Sequence, residues 1–259
     1  VAPQVWVWRE GRVKKIKNFI DHILLLFNFE KTYFDKEGMS NEFVGHPLLD
    51  YKDDKAIDIN QVIGKNKALI SVFPGSRKSE VEVLTPILLQ TIKLLNQSNK
   101  DITYVFHSTK EYSSSIQTHI SKSELINCEV ISDDKIKSHI LRKSIFAIAK
   151  SGTVSLEISN LKIPSIILYK MNFINFLIVK MLVKTKFANI INIAAKKEII
   201  PELLQGDCNP RNISIKTIDF LDNPGKMREQ IKETQLILKS LKSTHSSAYQ
   251  AGLSLNKFL

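Results

Sequence analysis

The sequence predicts an α/β fold built on a mainly parallel sheet. Short apolar runs alternate with longer segments whose apolar residues recur at helical spacing. Residues Ala68 to Phe73 and Ile102 to Phe106 are almost continuously apolar, as strands buried on both faces must be. Two strand-to-helix connections are rich in Gly, Ser and Thr. Open parallel sheets bind ligands at such loops, at the carboxyl ends of strands where the strand order switches.

Each element follows from local signals. Val-Trp-Val-Trp at residues 5–8 reads as a strand or strand exit, and Asp21 to Phe27 as a strand. Phe29 to Glu37 reads as a short helix closed by Gly38. Gly45-His46-Pro47 makes a turn, because Pro disfavours helix at the residue before it. Lys52 to Lys55 is charged and apolar-poor, the composition of an interdomain linker. After strand Ala68 to Phe73 comes the loop Pro74-Gly75-Ser76-Arg77, then a helix from Val81 to Asn96. Strand Ile102 to Phe106, helix Tyr112 to Ser121, strand Glu129 to Ile131, helix Ile136 to Arg142 and strand Ile145 to Ala149 follow. Ser151-Gly152-Thr153 opens a helix running through Ser159, and Pro164 to Tyr169 is a strand. Asn172 to Leu182 reads as an apolar helix, Glu202 to Gln205 as a short helix after Pro201, and Lys226 to Lys242 as a long helix.

Composition bounds the function. The 259 residues suffice for one large α/β domain or two smaller ones. Lys and Arg outnumber Asp and Glu by 37 to 26, a net charge of +11. Such a field attracts polyanions, anionic headgroups or phosphorylated substrates. A solvated Lys-rich surface reads equally. No basic-aromatic motif supports nucleic-acid binding. Cys128 and Cys208 form no framework, which fits a reducing cytosol and argues against structural zinc. No signal peptide or membrane span is visible, since Met171 to Val179 falls far short of the ~20 residues a span needs. The chain opens on Val1 in mid-pattern, so an N-terminal portion is expected to precede it.

Two loops carry the chemistry. Gly75 lets the backbone turn sharply, Ser76 can cap the next helix, and the helix N-terminus with the Arg77 fork suits a pyrophosphate. An ordinary cap beside a surface Arg is the plain alternative. Ser151, Gly152 and Thr153 again place hydroxyls and N–H groups at a helix start. Glu157, one turn on, can accept hydrogen bonds from both ribose hydroxyls, or can complete a capping box. Asn192 lies in an apolar run and needs a partner, either within the fold or on a ligand. The 172–186 segment is apolar with Lys180, Lys184 and Lys186 around it. It reads as a buried helix with snorkelling lysines, or as an interfacial one. In the second case Phe173, Phe176 and Leu177 contact acyl chains while Lys180 and Lys184 meet headgroups. His46, Trp6 and Trp8 read more readily as structural than as ligand-binding.

Several motifs occur here in the order that one family carries them. They are Val5-Trp6-Val7-Trp8-Arg9, Phe29-Glu30, Val44-Gly45-His46-Pro47, Pro74-Gly75-Ser76-Arg77 with Glu80-Val81-Glu82, and Ser151-Gly152-Thr153 with Leu156-Glu157. Tyr169, Leu182-Val183-Lys184, Asn192 and Pro201-Glu202-Leu203-Leu204-Gln205 continue the order. On this set, over roughly residues 1–215 and weakly between Asp101 and Lys143, the sequence resembles the lipid-A-disaccharide synthases. Asn28, Ile191 and Ala195 stand where that family usually has Pro, Pro and Gly.

The resemblance implies a GT-B architecture, with a Rossmann-like donor-binding domain and the remnant of a second, Rossmann-like acceptor domain. The expected division is 1–50 for the acceptor-side remnant, 51–225 for the donor domain and 226–259 for a helical tail. It implies transfer of diacylglucosamine from UDP-2,3-diacylglucosamine to 2,3-diacylglucosamine 1-phosphate, giving lipid A disaccharide 1-phosphate and UDP. The reaction is inverting, with no metal and no cofactor. Gly75, Ser76 and Arg77 would hold the pyrophosphate, and Ser151, Gly152, Thr153 and Glu157 the phosphate and ribose. Asn192 and Gln205 would line the donor site. The acidic general base is expected in the portion before Val1. A cytoplasmic protein, peripheral on the inner face of the cytoplasmic membrane, is implied, and a homodimer is left open. Other readings are a non-catalytic UDP-binding fragment, or another UDP-sugar enzyme of the same fold such as an epimerase.

Overall fold

The computed structural model describes residues 2–8, 11–50, 68–98, 101–171 and 185–258. The expected linker at 52–55 and the apolar segment 172–184, with Phe173, Phe176, Leu177, Lys180 and Lys184, lie outside them.

The chain first forms a small unit. Two short helices, α1 (Val5–Trp8) and α2 (Arg12–Ile16), precede β1 (His22–Leu25). A 3-10 turn (Asn28–Glu30) and α3 (Lys31–Asp35) lead to β2 (Ser40–Phe43), which pairs parallel with β1. Val5, Val13, Ile16, Ile23, Leu25 and Phe34 make its core. Residues 5–8 are thus helical, not the strand that their β-branched and aromatic content suggests. Four residues are too few for periodicity to decide, and burial of the Trp6 side chain overrides propensity. Its indole N–H donates to Glu30 Oε1 at 3.0 Å.

The second unit is a six-stranded sheet in which every pair is parallel. Its first half runs β3 (Ala68–Phe73), α4 (Lys78–Ser98), β4 (Ile102–His107), α5 (Lys110–Ser123) and β5 (Cys128–Ile131). Its second half runs α6 (Asp134–Lys143), β6 (Ser144–Lys150), α7 (Val154–Asn160), β7 (Ser165–Tyr169), α8 (Ile190–Ala195) and β8 (Glu202–Leu204). The strand order is β5-β4-β3-β6-β7-β8, so the chain reverses direction across the sheet between β3 and β6.

The pleat sorts the side chains. Phe146 and Ile148 of β6 join the α4 residues Val81, Leu84, Leu88, Ile92 and Leu95 in one core. Ala147 and Ala149 face the other way, toward Leu156, Ile158 and Ile191. The two alanines leave room for that second helical layer. Residues 202–204 form an edge strand, not the helix expected after Pro201. Proline at the start of an edge strand forfeits no ladder bond, and the Pro201 carbonyl accepts from Ile167 N–H at 2.9 Å.

Three helices close the chain: α9 (Pro210–Leu221), α10 (Pro224–Leu241) and α11 (Ser247–Leu255). Leu238 and Leu241 of α10 pack in the second core, which also takes Phe27 and Leu49 from the small unit. The Gln230 side chain accepts from Ser165 N–H at 2.7 Å and donates to Ser165 O at 3.0 Å, doing for β7 what a neighbouring strand would. Then α11 returns to the small unit. Asp50 Oδ2 accepts from the Ser247 N–H at 2.6 Å, and Ser254 Oγ lies 2.9 Å from His22 Nε2. Lys257 and Gln250 both donate to the Glu42 carboxylate, at 2.7 and 3.3 Å.

Asp50→Ala leaves the Ser246 N-cap of α11 in place but removes the carboxylate that accepts from the N–H and hydroxyl of the buried Ser247. The expected cost is about 1–3 kcal/mol, taken from docking of the tail more than from the six-stranded unit. Limited proteolysis checks this: cleavage should appear first within 242–246.

Candidate functional site

The reversal between β3 and β6 places two loops side by side, 74–77 after β3 and 151–153 after β6. Ser71, Val72 and Phe73 lie opposite Ala147, Ile148 and Ala149 in register. A cleft of about 1030 Å³ opens above them, lined by Gly75, Ser76, Arg77, Gly152, Thr153 and Glu157 together with residues that sequence reasoning did not assign.

The first loop is held from downstream. Gly75 has φ +117, and a Cβ there would stand 2.5 Å from Glu80 Oε2 and 2.7 Å from Glu80 Cβ. Only glycine fits both constraints. Glu80 Oε2 accepts from Ser76 N–H at 3.1 Å, while Oε1 meets Arg77 Nη1 at 3.2 Å and Lys150 Nζ at 2.8 Å. The capping therefore comes from Glu80 at the start of α4, not from the Ser76 hydroxyl. Burial works to raise the Glu80 carboxyl, but the Lys150 ammonium, the Ser76 N–H and Arg77 together hold it below the usual range. It is an anion at neutral pH. Arg77 is 76% exposed, so its guanidinium faces the open cleft.

The second loop divides its roles. Ser151 lines the cleft, but its hydroxyl donates to Ala188 O at 2.7 Å and ties the loop to segment 185–190. Gly152 and Thr153 are exposed. Thr153 makes no side-chain cap bond, so the capping box is absent and Glu157 is not used that way. Burial raises the Glu157 carboxyl, opposed by Lys137 and Arg142.

Asn192 and Gln205 do not join the cleft. Asn192 is fully buried and bonded within the fold. Its Oδ1 accepts from Ile199 and Ile200 N–H at 2.8 and 3.0 Å, and its Nδ2 donates to Ile200 O and Glu202 Oε1, both at 2.7 Å. With all its capacity spent, it fixes the 189–202 turn. Glu202 also accepts from Ala188 and Asn189 N–H at 2.7 and 2.9 Å, so these two residues hold the cleft wall at 185–190 from behind. Gln205, at φ +48, accepts from Met171 N–H through Oε1 at 2.9 Å.

Lys150, Lys137 and His107 were not anticipated, and Glu80 and Tyr169 had been noticed only as parts of motifs. Gln4, Trp6 and Leu48 of the small unit complete the lining. His107, at the end of β4, had one local signal, a polar residue closing an apolar strand. Ser144 Oγ donates to Ile140 O at 3.1 Å. The Ser71 hydroxyl then donates to Ser144 (2.7 Å) and accepts from His107 Nε2–H (2.8 Å). This chain fixes the tautomer and leaves Nδ1 a buried acceptor without a partner. Among the described residues, no group of three His, Cys, Asp or Glu side chains could hold a metal ion.

Asn192→Ala should lower stability by about 2–4 kcal/mol in urea denaturation, because it strands buried backbone groups. His107 gives a pH signature. Burial, aided by Lys137, pushes its imidazole down to about 3. The unfolded value is about 6.5. Between these values the unfolded chain binds the proton, so stability is complete above the upper one and falls as pH drops toward the lower. Comparing urea midpoints at about pH 7.5 and about pH 5, the loss on acidification should be smaller in His107→Gln than in the parent.

The fold has known likenesses. The structure of S. aureus MnaA with UDP superposes with a TM-score of 0.62 at 12% identity, covering 95% of this chain and 62% of that one. The C-terminal domain of a glycosyl transferase group 1 family protein from Francisella tularensis gives 0.51 at 12% identity, covering 78% and 100%. These likenesses show a Rossmann-like fold of the GT-B kind. In sequence, the lipid-A-disaccharide synthase of Sulfurihydrogenibium sp. (strain YO3AOP1) is 34% identical over 93% of this chain and 66% of its own length. The chain thus spans about two thirds of that relative. The family model described as lipid-A-disaccharide synthetase matches residues 1–254, and the chain belongs to that family.

Proposed function

We propose that this chain carries the UDP-sugar-binding face of a lipid-A-disaccharide synthase. The reaction would transfer diacylglucosamine from UDP-2,3-diacylglucosamine to 2,3-diacylglucosamine 1-phosphate, with inversion and release of UDP. The observation that carries this reading is the meeting of the 74–77 and 151–153 loops at the β3/β6 reversal, with the exposed Arg77 fork between them and the cleft. Family membership supports this reaction, and the chemistry of the site suits it.

As UDP leaves, negative charge grows on the diphosphate. Arg77 and the N-terminus of the long helix α4 oppose that charge without rearrangement. Glu157, which lines the cleft and carries no capping duty, would accept from ribose hydroxyls. Gln4, Trp6 and Leu48, across the cleft, would form the wall nearer the acceptor. In this reading residues 1–50 belong to the acceptor side, 51–225 to the donor side and 226–259 to the tail joining them.

No described helix is long and apolar enough to cross a membrane. Both substrates carry acyl chains, which supports a peripheral place on the inner face of the cytoplasmic membrane. Within the proposal, Phe173, Phe176 and Leu177 meet the acyl region while Lys180 and Lys184 meet headgroups.

Calorimetric titration with UDP, paired with a transfer assay on the two acylated sugars, tests this reading. The parent should bind UDP, and Arg77→Ala should weaken binding about 10- to 100-fold. Disaccharide should form only when both acylated sugars are present. Undiminished UDP affinity in Arg77→Ala would remove Arg77 from the site. Epimerised sugar in place of disaccharide would replace the reaction itself.

A further inference from the structure

We infer that Lys150 is a second diphosphate-binding cation, positioned by Glu80 and able to turn from it to the ligand. The inference rests on the donor-site reading above and adds a residue to it.

Lys150 ends β6 directly before Ser151, and its neighbour Ala149 pairs with Phe73 at the end of β3. The register therefore delivers its side chain beside the 74–77 loop. The side chain is only 17% exposed, yet it lines the cleft. An ammonium that far from water requires a partner. Among the described residues its ion-pair partner is Glu80, and the Tyr169 ring lies 5.5 Å from Nζ.

Glu80 is oversubscribed. A single oxygen, Oε1, faces both Lys150 at 2.8 Å and Arg77 at 3.2 Å, while Oε2 is committed to Ser76 N–H. Two cations on one carboxylate leave one positive charge uncompensated. Elsewhere in the lining, Lys137 is matched by Asp134 at 2.9 Å, and Lys186 and Glu157 add one group of each sign, so the cations outnumber the carboxylates and two of them converge on Glu80. A diphosphate brings the missing negative charge to the place where the Arg77 fork and the α4 N-terminus converge. An ammonium carries three donors on a flexible stem, so Lys150 can turn to a phosphate oxygen without leaving Glu80 far behind. Glu80 then has two tasks: it fixes the loop through Ser76 and stores the lysine in the orientation the ligand needs.

The test is a set of calorimetric affinities for UDP and for uridine. The proteins are the full chain, Lys150→Ala, Lys150→Arg, Glu80→Gln and the double variant Glu80→Gln with Lys150→Ala. Lys150→Ala should weaken UDP by about 10- to 100-fold, the range expected for a lost charge-assisted bond. Uridine, which lacks the diphosphate, should be unaffected, and Lys150→Arg should retain most of the UDP affinity. The double variant decides between contact and mere neutralisation. A direct contact predicts that Lys150→Ala still weakens UDP when Glu80 is already Gln. If the loss vanishes in that background, Lys150 only balances Glu80 and the inference is overturned. Equal loss for uridine and UDP would overturn it too, by showing a collapsed cleft. Should the parent bind neither compound, the donor-site reading fails first and this inference with it. A parent that binds UDP beside an unimpaired Lys150→Ala would sink only the inference.

Discussion

The structure depends on the parallel pairing of β3 with β6. These strands are far apart in sequence, because two further strands and three helices are laid down between them. The chain fills one half of the sheet, returns to the middle and fills the other half. Adjacent strands that carry their crossovers to opposite sides leave a crevice at their carboxyl ends. Both Gly- and Ser-containing loops are there because of that reversal. The cores follow the same constraint. Bulky Phe146 and Ile148 fill the α4 side, and Ala147 and Ala149 admit the α7–α8 layer on the other.

The central strands were legible in the sequence to within a few residues, and for a simple reason. A strand covered on both faces by helices must be apolar throughout, and no other short element looks like that. The misreadings fall where this logic lapses. Strand β2, Ser-Asn-Glu-Phe, has no fully buried residue and so leaves little hydrophobic trace. Strand β8 has three residues behind a proline, which resembles a helix start until its neighbour β7 is known. Helix α9 did have a signal that went unused: Asn209 followed by Pro210, with the Asn209 side chain capping Asn212 N–H at 3.0 Å.

The site was legible where glycine and hydroxyl residues mark loops, and illegible where partners come from distant sequence. Gly75 advertises a turn, but nothing local says that Glu80 must fold back over it or that Lys150 will arrive beside it. Those contacts exist only once β6 lies next to β3. Asn192 shows the opposite error. A polar residue in an apolar run demands hydrogen bonds, and that demand is met equally by a ligand or by the backbone. Here Ile199, Ile200 and Glu202 meet it completely, and the residue braces the wall of the cleft. Family resemblance marks such a position without distinguishing bracing from binding.

The two sides of the cleft are fastened differently. On the sheet side, the Ser151 hydroxyl joins the 151–153 loop to Ala188, and Glu202 fixes Ala188, Asn189 and Asn192. Loop and wall are therefore one body. On the other side, Phe27 and Leu49 are set in the second apolar core with Leu238 and Leu241. Glu30 caps the Leu26 and Phe27 N–H groups at 3.0 Å and takes the Trp6 indole bond on its other oxygen. An apolar anchor thus passes, through one buried carboxylate, to the tryptophan at the cleft. Behind it, α11 grips the small unit through Asp50, Glu42 and His22, contacts that are mostly polar. Polar clasps exchange partners more readily than a packed core does. The small unit is thus held by an apolar anchor beside the cleft, at Phe27 and Leu49, and by mostly polar clasps at its far edge.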